Sequence, residues 1–177
     1  MSEALDSPIS IAIPFYNSAK FLEECIRIPL DHRRVSEIVI ADDHSGLSDY
    51  QAIIKLVRSA ARDASLIACG EKVLRRNFSW GYEDVSIHTY RGQDSRCVEV
   101  VLSRNTSNLG GFKNKFKAVA LATNPWVFLL DSDNYFLPTS LDAIFNLIPW
   151  QRNQCYSPGI VERIFEGPDK NLTIAKK

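Results

Sequence analysis

The chain has 177 residues, 45% of them hydrophobic, which is enough to bury the core of one domain. Lysine plus arginine and aspartate plus glutamate number 21 each, so nucleic acid is not expected as the main partner. The first residues lack the pattern of a signal peptide, and no apolar run is long enough to cross a bilayer. We therefore expect one domain over residues 1–177 in a soluble, cytoplasmic protein, which could form a homo-oligomer.

The cysteines are scattered along the chain and form no CxxC pair. They are Cys25, Cys69, Cys97 and Cys155. Such spacing is not typical of a zinc site or of a disulfide framework, so we expect thiols that are buried in the core.

Strand and helix patterns alternate in the first third of the chain. The β-branched run Ile9–Ile13 ends at Pro14, and a helix that Ser18 can cap follows it. The motif EIVIADDHS, residues 37–45, predicts a second buried strand, and residues 50–60 predict a second amphipathic helix.

The alternation resumes in the second half. Residues 99–103 and the motif WVFLLD predict two more apolar strands. The helix between them has its apolar residues at Phe112, Phe116, Val119 and Ala120. Residues 64–94 show no clear period: VSIHTY suits an edge strand, and NFSWGYED suits a loop. A short helix after Pro138 and a strand in GIVERIF complete the prediction.

Strands that are apolar on both faces and joined by helices are typical of an α/β fold with a parallel sheet covered on both sides. In such a sheet, ligands bind beyond the carboxyl ends of the strands. Polar residues that follow the predicted strands should therefore share one edge. They are Pro14 to Asn17, Asp42 with Asp43, Arg104 to Gly111, and Asp131 with Asp133.

The motif FLLDSDN places two carboxylates, Asp131 and Asp133, where a buried strand ends. A cation relieves their repulsion, and Mg²⁺ or Mn²⁺ typically binds one or two carboxylates together with substrate phosphates. A simple capping turn is the alternative. An EF-hand is excluded because Phe136 stands where its loop needs glycine. A phosphohydrolase of the haloacid dehalogenase type stays open, with Asp131 as nucleophile and Asp133 as acid/base.

Four motifs in chain order resemble those of family 2 of the glycosyltransferases: IAIPFYNSAKFLEECI, IVIADDHS, NLGG and WVFLLDSDN. The family pattern is roughly P-x-Y-N, V-D-D-G-S, N-x-G followed by A-R-N, and F-L-D-x-D-D. The resemblance spans about residues 8–142. It implies the GT-A fold, a Rossmann-like α/β sheet that is mostly parallel, and in particular its nucleotide-sugar-binding half.

The resemblance also implies roles for individual residues. The nucleotide sugar would contact Pro14, Phe15, Tyr16, Asn17, Asp42, Asp43, Asn108, Gly110, Lys115 and Ser132. One carboxylate of Asp42 and Asp43 would hydrogen-bond the base, usually uracil, so a UDP-linked sugar is the expected donor. Asp131 and Asp133 match the DxD motif, which holds Mn²⁺ or Mg²⁺ on the diphosphate. That cation would stabilise the negative charge that develops on the leaving diphosphate.

Several residues depart from the family pattern. Lys115 stands where arginine is common, and lysine supplies charge without the bidentate fork. His44 replaces a glycine, and Asn134 replaces a third aspartate. Gly110 and Gly111 could expose backbone N–H groups to phosphate or simply form the turn.

The acceptor-binding half is expected to be shortened or absent, either because the chain is part of a longer protein or because it works differently. None of the late carboxylates Glu162, Glu166 and Asp169 lies in a copy of the family's base motif, so the general base stays unidentified. The sequence predicts a metal-dependent glycosyltransferase that inverts the anomeric centre and acts on an unknown acceptor. A non-catalytic nucleotide-sugar-binding module and the phosphohydrolase are the alternatives.

Overall fold

A computed structural model describes residues 8–63, 66–78, 81–92, 96–137, 139, 141–142, 160–163 and 173–176. Within these ranges the strands are β1 (Ile9–Phe15), β2 (Val35–Asp42), β3 (Leu66–Phe78), β4 (Gly81–Gly92), β5 (Cys97–Arg104), β6 (Trp126–Leu129), β7 (Ile160–Arg163) and β8 (Thr173–Lys176). The helices are α1 (Ala19–Asp31), α2 (Leu47–Asp63) and α3 (Gly111–Leu121).

The first six strands form one sheet in the order β3-β4-β5-β2-β1-β6. Strands β1, β2, β5 and β6 run parallel, whereas β4 is antiparallel to both β5 and β3. Helices follow β1, β2 and β5, as crossover connections between parallel strands require. The α/β class with a mostly parallel sheet is therefore confirmed.

The register brings the carboxyl ends of the parallel strands to one edge of the sheet. Phe15, the last residue of β1, pairs with Asp42, and Asp42 pairs with Arg104 at the end of β5. On the other side of β1, Ala12 pairs with Leu129, the last residue of β6. The segments that follow these four strands therefore begin close together.

Alternating residues of the central strands face two separate helical layers. Ile11, Ile13 and Phe15 pack in the cluster that includes residues of α1 and α2. Ala12, with its neighbours on β2 and β5, packs against Ala118 of α3 on the opposite face. Because both faces are covered, the strands are apolar at nearly every position.

The buried face of α3 differs from the apolar positions that the sequence suggested. Phe112 is 86% exposed and Phe116 is 64% exposed, whereas Ala118 and Leu121 are buried against the sheet. Two alanines, Ala12 and Ala41, lie on this face of the sheet beside larger apolar residues, and the small side chain of Ala118 suits a close approach of helix to strand. The polar residues Asn114 and Lys117 lie on the same buried side of the helix.

The region between α2 and β5 also differs from the prediction. Strands β3 and β4 form a long antiparallel hairpin from Leu66 to Gly92. The VSIHTY segment belongs to β4, an inner strand, and β3 forms the edge of the sheet. Most of NFSWGYED also belongs to these strands rather than to a loop. Gly81 begins β4 with φ 127°, a backbone conformation that glycine permits.

Three smaller expectations have mixed outcomes. Of the described cysteines only Cys25 is buried, whereas Cys69 and Cys97 are exposed, so the expectation of core thiols is wrong for two of them. Ser18 precedes α1 without a side-chain capping hydrogen bond. The predicted short helix after Pro138 and the fourth cysteine, Cys155, lie largely or wholly outside the described residues.

The GIVERIF segment does contain a strand. This strand, β7, pairs antiparallel with β8 in a sheet of two strands that is separate from the main sheet. In the described part of the chain, no helix is long and apolar enough to span a membrane.

Candidate functional site

A cleft of about 550 Å³ opens at the edge where the parallel strands end. Its lining comes from the last two residues of β1, from the segments after β1, β2, β5 and β6, and from the start of α1 and α3. The lining residues are Pro14, Phe15, Tyr16, Ser18, Phe21, Asp43, Asn108, Gly111, Asn114, Lys115, Asp131, Ser132 and Asp133. The structure thus brings together nine of the twelve residues predicted to bind the nucleotide sugar or the metal, while Asn17, Asp42 and Gly110 do not line the cleft.

The two DxD carboxylates occupy a tight turn directly after β6. The backbone N–H of Asn134 donates to the carbonyl of Asp131 at 2.9 Å, which closes the turn. The side chain of Asp131 is partly exposed and that of Asp133 is exposed, and both line the cleft. The Nζ of Lys115 lies 2.7 Å from Oδ1 and 2.9 Å from Oδ2 of Asp131.

The DxD turn is also held against the start of α1. The hydroxyls of Ser18 and Ser132 lie 2.6 Å apart and share a hydrogen bond. Beneath them, the Cys25 thiol is 4.0 Å from the backbone carbonyl of Asp131. Burial, together with the nearby carboxylates of Asp133 and Asp131, raises the pKa of this thiol to about 12. Cys25 is therefore a neutral packing group under the cleft.

Asp43 organises the loop between β5 and α3. Its Oδ1 accepts hydrogen bonds from Asn105 Nδ2 and from the backbone N–H of Leu109, each at 2.7 Å. Its Oδ2 accepts from the backbone N–H of Gly110 at 2.9 Å. Only 2% of the residue is exposed, so these three donors replace most of its hydration. Asp43 thereby fixes the wall of the cleft that it also lines.

Asp42 has a different environment, although it is the neighbouring residue. It is fully buried, and its Oδ1 accepts from the backbone N–H of Ser45 at 3.1 Å. Its Oδ2 lies 3.3 Å from Nε of Arg104, whose guanidinium stacks over the ring of Tyr50. These contacts tie β2, β5 and α2 together below the cleft.

Asn17 joins the loop after β1 to the loop after β2, and His44 joins the loop after β2 to the segment after β5; their φ values are positive, at 47° and 63°. The Oδ1 of Asn17 accepts a hydrogen bond from the backbone N–H of Gly46, and the backbone N–H of Asn17 donates one to the Ser45 hydroxyl. A ring nitrogen of His44 lies 3.2 Å from the carbonyl of Asn105. The histidine is thus satisfied by the adjacent loop in a conformation that usually favours glycine.

Gly110 also has its N–H in use within the protein. The group donates to Asp43 and to the side chain of Asn108, each at 2.9 Å. Its φ of 83° lies in the region that glycine adopts most readily. Gly111, the first residue of α3, is the glycine that lines the cleft.

A buried polar network beneath the cleft was not anticipated from the sequence. Asn114 donates from Nδ2 to the carbonyl of Ala41 at 2.8 Å, and its Oδ1 accepts from Asn105. Lys117 is only 5% exposed, and its Nζ lies 2.5 Å from Asn105 Oδ1 and 2.5 Å from a carboxylate oxygen of Glu83. An asparagine and a lysine three residues apart on one helix face are the only sequence signal, and this pattern equally suits a solvated face.

The donor set at the DxD turn fits a divalent cation that is shared with a substrate. Among the described residues, no cluster of three or more histidine, cysteine, aspartate or glutamate side chains could hold a metal without other ligands. Asp131 and Asp133 offer two carboxylates to the cleft, the number that Mg²⁺ and Mn²⁺ commonly take when phosphates complete the coordination. The ammonium of Lys115 contacts both oxygens of Asp131, so a positive charge already lies against this carboxylate.

No protein-family model and no curated protein sequence matches this chain. Among solved structures, it is similar to the mannosyltransferase PcManGT from Pyrobaculum calidifontis in complex with GDP-Man and Mn²⁺, with a TM-score of 0.52 and 16% identity over 81% of this chain and 33% of that chain. It is also similar to S. aureus TarS 1-349, with a TM-score of 0.49 and 20% identity over 77% of this chain and 31% of that chain. A complex of TarS 1-349 with UDP has been solved as well.

The likeness to the mannosyltransferase establishes that this protein shares its fold. The chain spans about a third of the length of these solved proteins.

Proposed function

We propose that this chain is the nucleotide-sugar-binding part of a glycosyltransferase that resembles family 2. The observation that carries the proposal is the meeting of three strand-end segments in one cleft: the residues after β1, Asp43 after β2, and the DxD turn after β6. These segments are far apart in the sequence, and their order along the chain is the one that resembles the family. The fold shared with a mannosyltransferase supports the same proposal.

The nucleoside would occupy the end of the cleft formed by Tyr16 and Asp43. Tyr16 is 51% exposed and lines the cleft, so its ring is available to stack on a base. Among the described residues, the Oδ2 of Asp43 accepts a hydrogen bond only from the N–H of Gly110, and a carboxylate oxygen has room for a second donor. A uracil N–H is such a donor, and UDP is therefore the proposed nucleotide.

The diphosphate would lie at the DxD end. Asp131 and Asp133 would hold Mn²⁺ or Mg²⁺, and the metal would supply Lewis-acid stabilisation of the charge on the leaving diphosphate. Lys115 would add a positive charge at the same end of the cleft. Direct displacement by the acceptor hydroxyl would invert the anomeric centre, and the general base for that step is unassigned.

A thermal-shift experiment tests the donor site. The full chain is heated with UDP or GDP, each with and without Mn²⁺, and an Asp133→Ala variant is compared with Asp84→Ala, which removes an exposed aspartate on β4. A nucleotide at about a hundredfold its Kd stabilises the folded state by about 2.7 kcal/mol, which raises Tm by roughly 5–10 °C in a protein of this size. We expect the Mn²⁺-dependent part of this rise to disappear only in Asp133→Ala. No shift with either nucleotide would overturn the proposal.

A binding module without transferase activity is the second candidate, because the chain spans only about a third of the mannosyltransferase that shares its fold. The same thermal shifts are expected of it. Transfer of sugar, or steady hydrolysis of a nucleotide sugar, by the purified chain would rule the module out. The phosphohydrolase gains no support from the comparisons, and absence of phosphate release from generic phosphomonoesters would exclude it.

A further inference from the structure

The ion pair between Lys115 and Asp131 occupies the position where the metal of the proposed function would bind. The ammonium lies 2.7 and 2.9 Å from the two oxygens of Asp131, so it contacts the whole carboxylate rather than one side of it. Both side chains are about two-fifths exposed, at 41% and 40%, and both line the cleft. The pair is thus open to ligands.

A divalent cation and this ammonium cannot share Asp131 favourably. Two positive groups within about 4 Å of each other repel, and water screens this repulsion only in part at a pair that is about two-fifths exposed. Lysine has a flexible four-carbon stem, so Lys115 can leave the carboxylate by rotating its side chain without a change in α3. Water can solvate the departing ammonium, but an anion stabilises it more, and the diphosphate of an incoming nucleotide would supply one at the same end of the cleft.

We propose that Lys115 is a displaceable internal cation that makes the binding of metal and nucleotide cooperative. Without nucleotide it holds Asp131 and opposes metal binding. With nucleotide it moves to the diphosphate and releases Asp131 to the metal. The inference rests on the proposed function and deepens it, because it assigns Lys115 a positioning role between the two ligands.

Linkage gives this proposal a quantitative form. If UDP raises the affinity for Mn²⁺ by some factor, Mn²⁺ must raise the affinity for UDP by the same factor. A partly exposed ion pair contributes up to about 1 kcal/mol, which corresponds to about fivefold in an equilibrium constant. Removing the charge of Lys115 should therefore tighten Mn²⁺ binding without UDP by about twofold to fivefold and weaken UDP binding by a similar factor.

The test measures Mn²⁺ binding from the electron paramagnetic resonance signal of the free ion. The wild type is compared with Lys115→Gln, with Lys115→Arg, which keeps the charge, and with Lys113→Gln, which removes an exposed charge from the same helix outside the cleft. Each protein is titrated with and without UDP, and complex formation between UDP and Mn²⁺ is measured in protein-free samples. Circular dichroism checks that each variant is folded.

We expect Lys115→Gln to bind Mn²⁺ alone about twofold to fivefold more tightly and to lose most of the coupling between Mn²⁺ and UDP. Lys113→Gln should behave as the wild type, and Lys115→Arg should keep the weak binding of Mn²⁺ alone. Unchanged Mn²⁺ affinity and unchanged coupling in Lys115→Gln would overturn this inference while leaving the proposed function intact. A wild type that binds neither UDP nor Mn²⁺ would overturn both.

Discussion

Replacing Asp43 with asparagine tests whether this carboxylate holds the loop between β5 and α3. Three donors point at its two oxygens, and an asparagine side chain has only one oxygen. In the best orientation the amide keeps the bonds from Asn105 and Leu109 and turns its NH₂ group towards the N–H of Gly110. At least one buried, charge-assisted hydrogen bond is then lost, and the other two are weakened.

The expected cost follows from the burial of the site. A hydrogen bond to a charged group contributes about 1.5–3 kcal/mol, and only 2% of Asp43 is exposed, so water cannot replace the lost acceptor. We expect Asp43→Asn to lower the free energy of unfolding by about 3 kcal/mol. For a chain of this size the corresponding drop in Tm is roughly 6–12 °C. The substitution is nearly isosteric, so no cavity contributes.

Urea titration at pH 7.5, followed by circular dichroism and tryptophan fluorescence, measures this cost. Asp84→Asn is the matched control because the aspartate lies on β4 in an exposed pair with Arg75, and such pairs contribute little to stability. Equal unfolding midpoints for the two variants would refute the structural role assigned to Asp43. A nucleotide titration of the same variant would show whether the loop that Asp43 holds also supports binding.

Three further predictions address other parts of the fold. Gly110→Ala should lower the free energy of unfolding by about 1 kcal/mol or more, because its φ of 83° disfavours a side chain. Gly111→Ala at the start of α3 should not destabilise the protein, and open space surrounds both positions, so no clash complicates the comparison. Equal losses of stability in urea titrations would contradict the conformational role assigned to Gly110. Burial lowers the pKa of His88 below its usual value of about 6.5, so the unfolded chain binds the proton more readily and stability falls as pH decreases through that value. The Tm of His88→Gln should therefore decrease less than that of the wild type between pH 7.5 and 5. An equal decrease in both proteins would contradict the contribution of His88 to the pH dependence of stability. Iodoacetamide at pH 8 should alkylate exposed Cys69 in the folded protein but Cys25 only in urea, because burial hides the Cys25 thiol and raises its pKa to about 12. Peptide mass mapping shows which cysteine reacts, and equal labelling of the two in the folded protein would disprove the burial of Cys25.

The parallel part of the sheet was predictable because its strands are buried on both faces. Residues such as Ile11 and Val39 form short apolar runs that end at polar residues, and this pattern marks both a strand and its carboxyl end. The β3–β4 hairpin lacks that signal. Its outer strand is exposed at Ile67 and Val73, so neither alternation nor a continuous apolar run marks it as a strand. Its pairing with β4 provides the hydrogen bonds that sequence pattern does not reveal.

The residues of the candidate site were predictable only as types at strand ends, and their roles in binding stay predictions. Periodicity could not show that Asn114 and Lys117 turn inward while Phe112 turns outward. That choice depends on the small residues of the facing strands and on Asn105, which the helix meets only in the folded chain. Local pattern does not contain this information, because each contact has a partner on another element.

The sequence by itself determined the α/β class, the alternation of the parallel strands and helices along the chain, and the positions where polar groups follow apolar strands. These features arise from local periodicity and from burial on both faces. Only the tertiary structure decided which of two adjacent carboxylates lines the cleft. Asp42 turns to Arg104 below the cleft, whereas Asp43 turns to the loop before α3 and borders the cleft. Only the folded chain also pairs Lys115 with Asp131, because long-range contacts select among side-chain directions that are equally allowed locally.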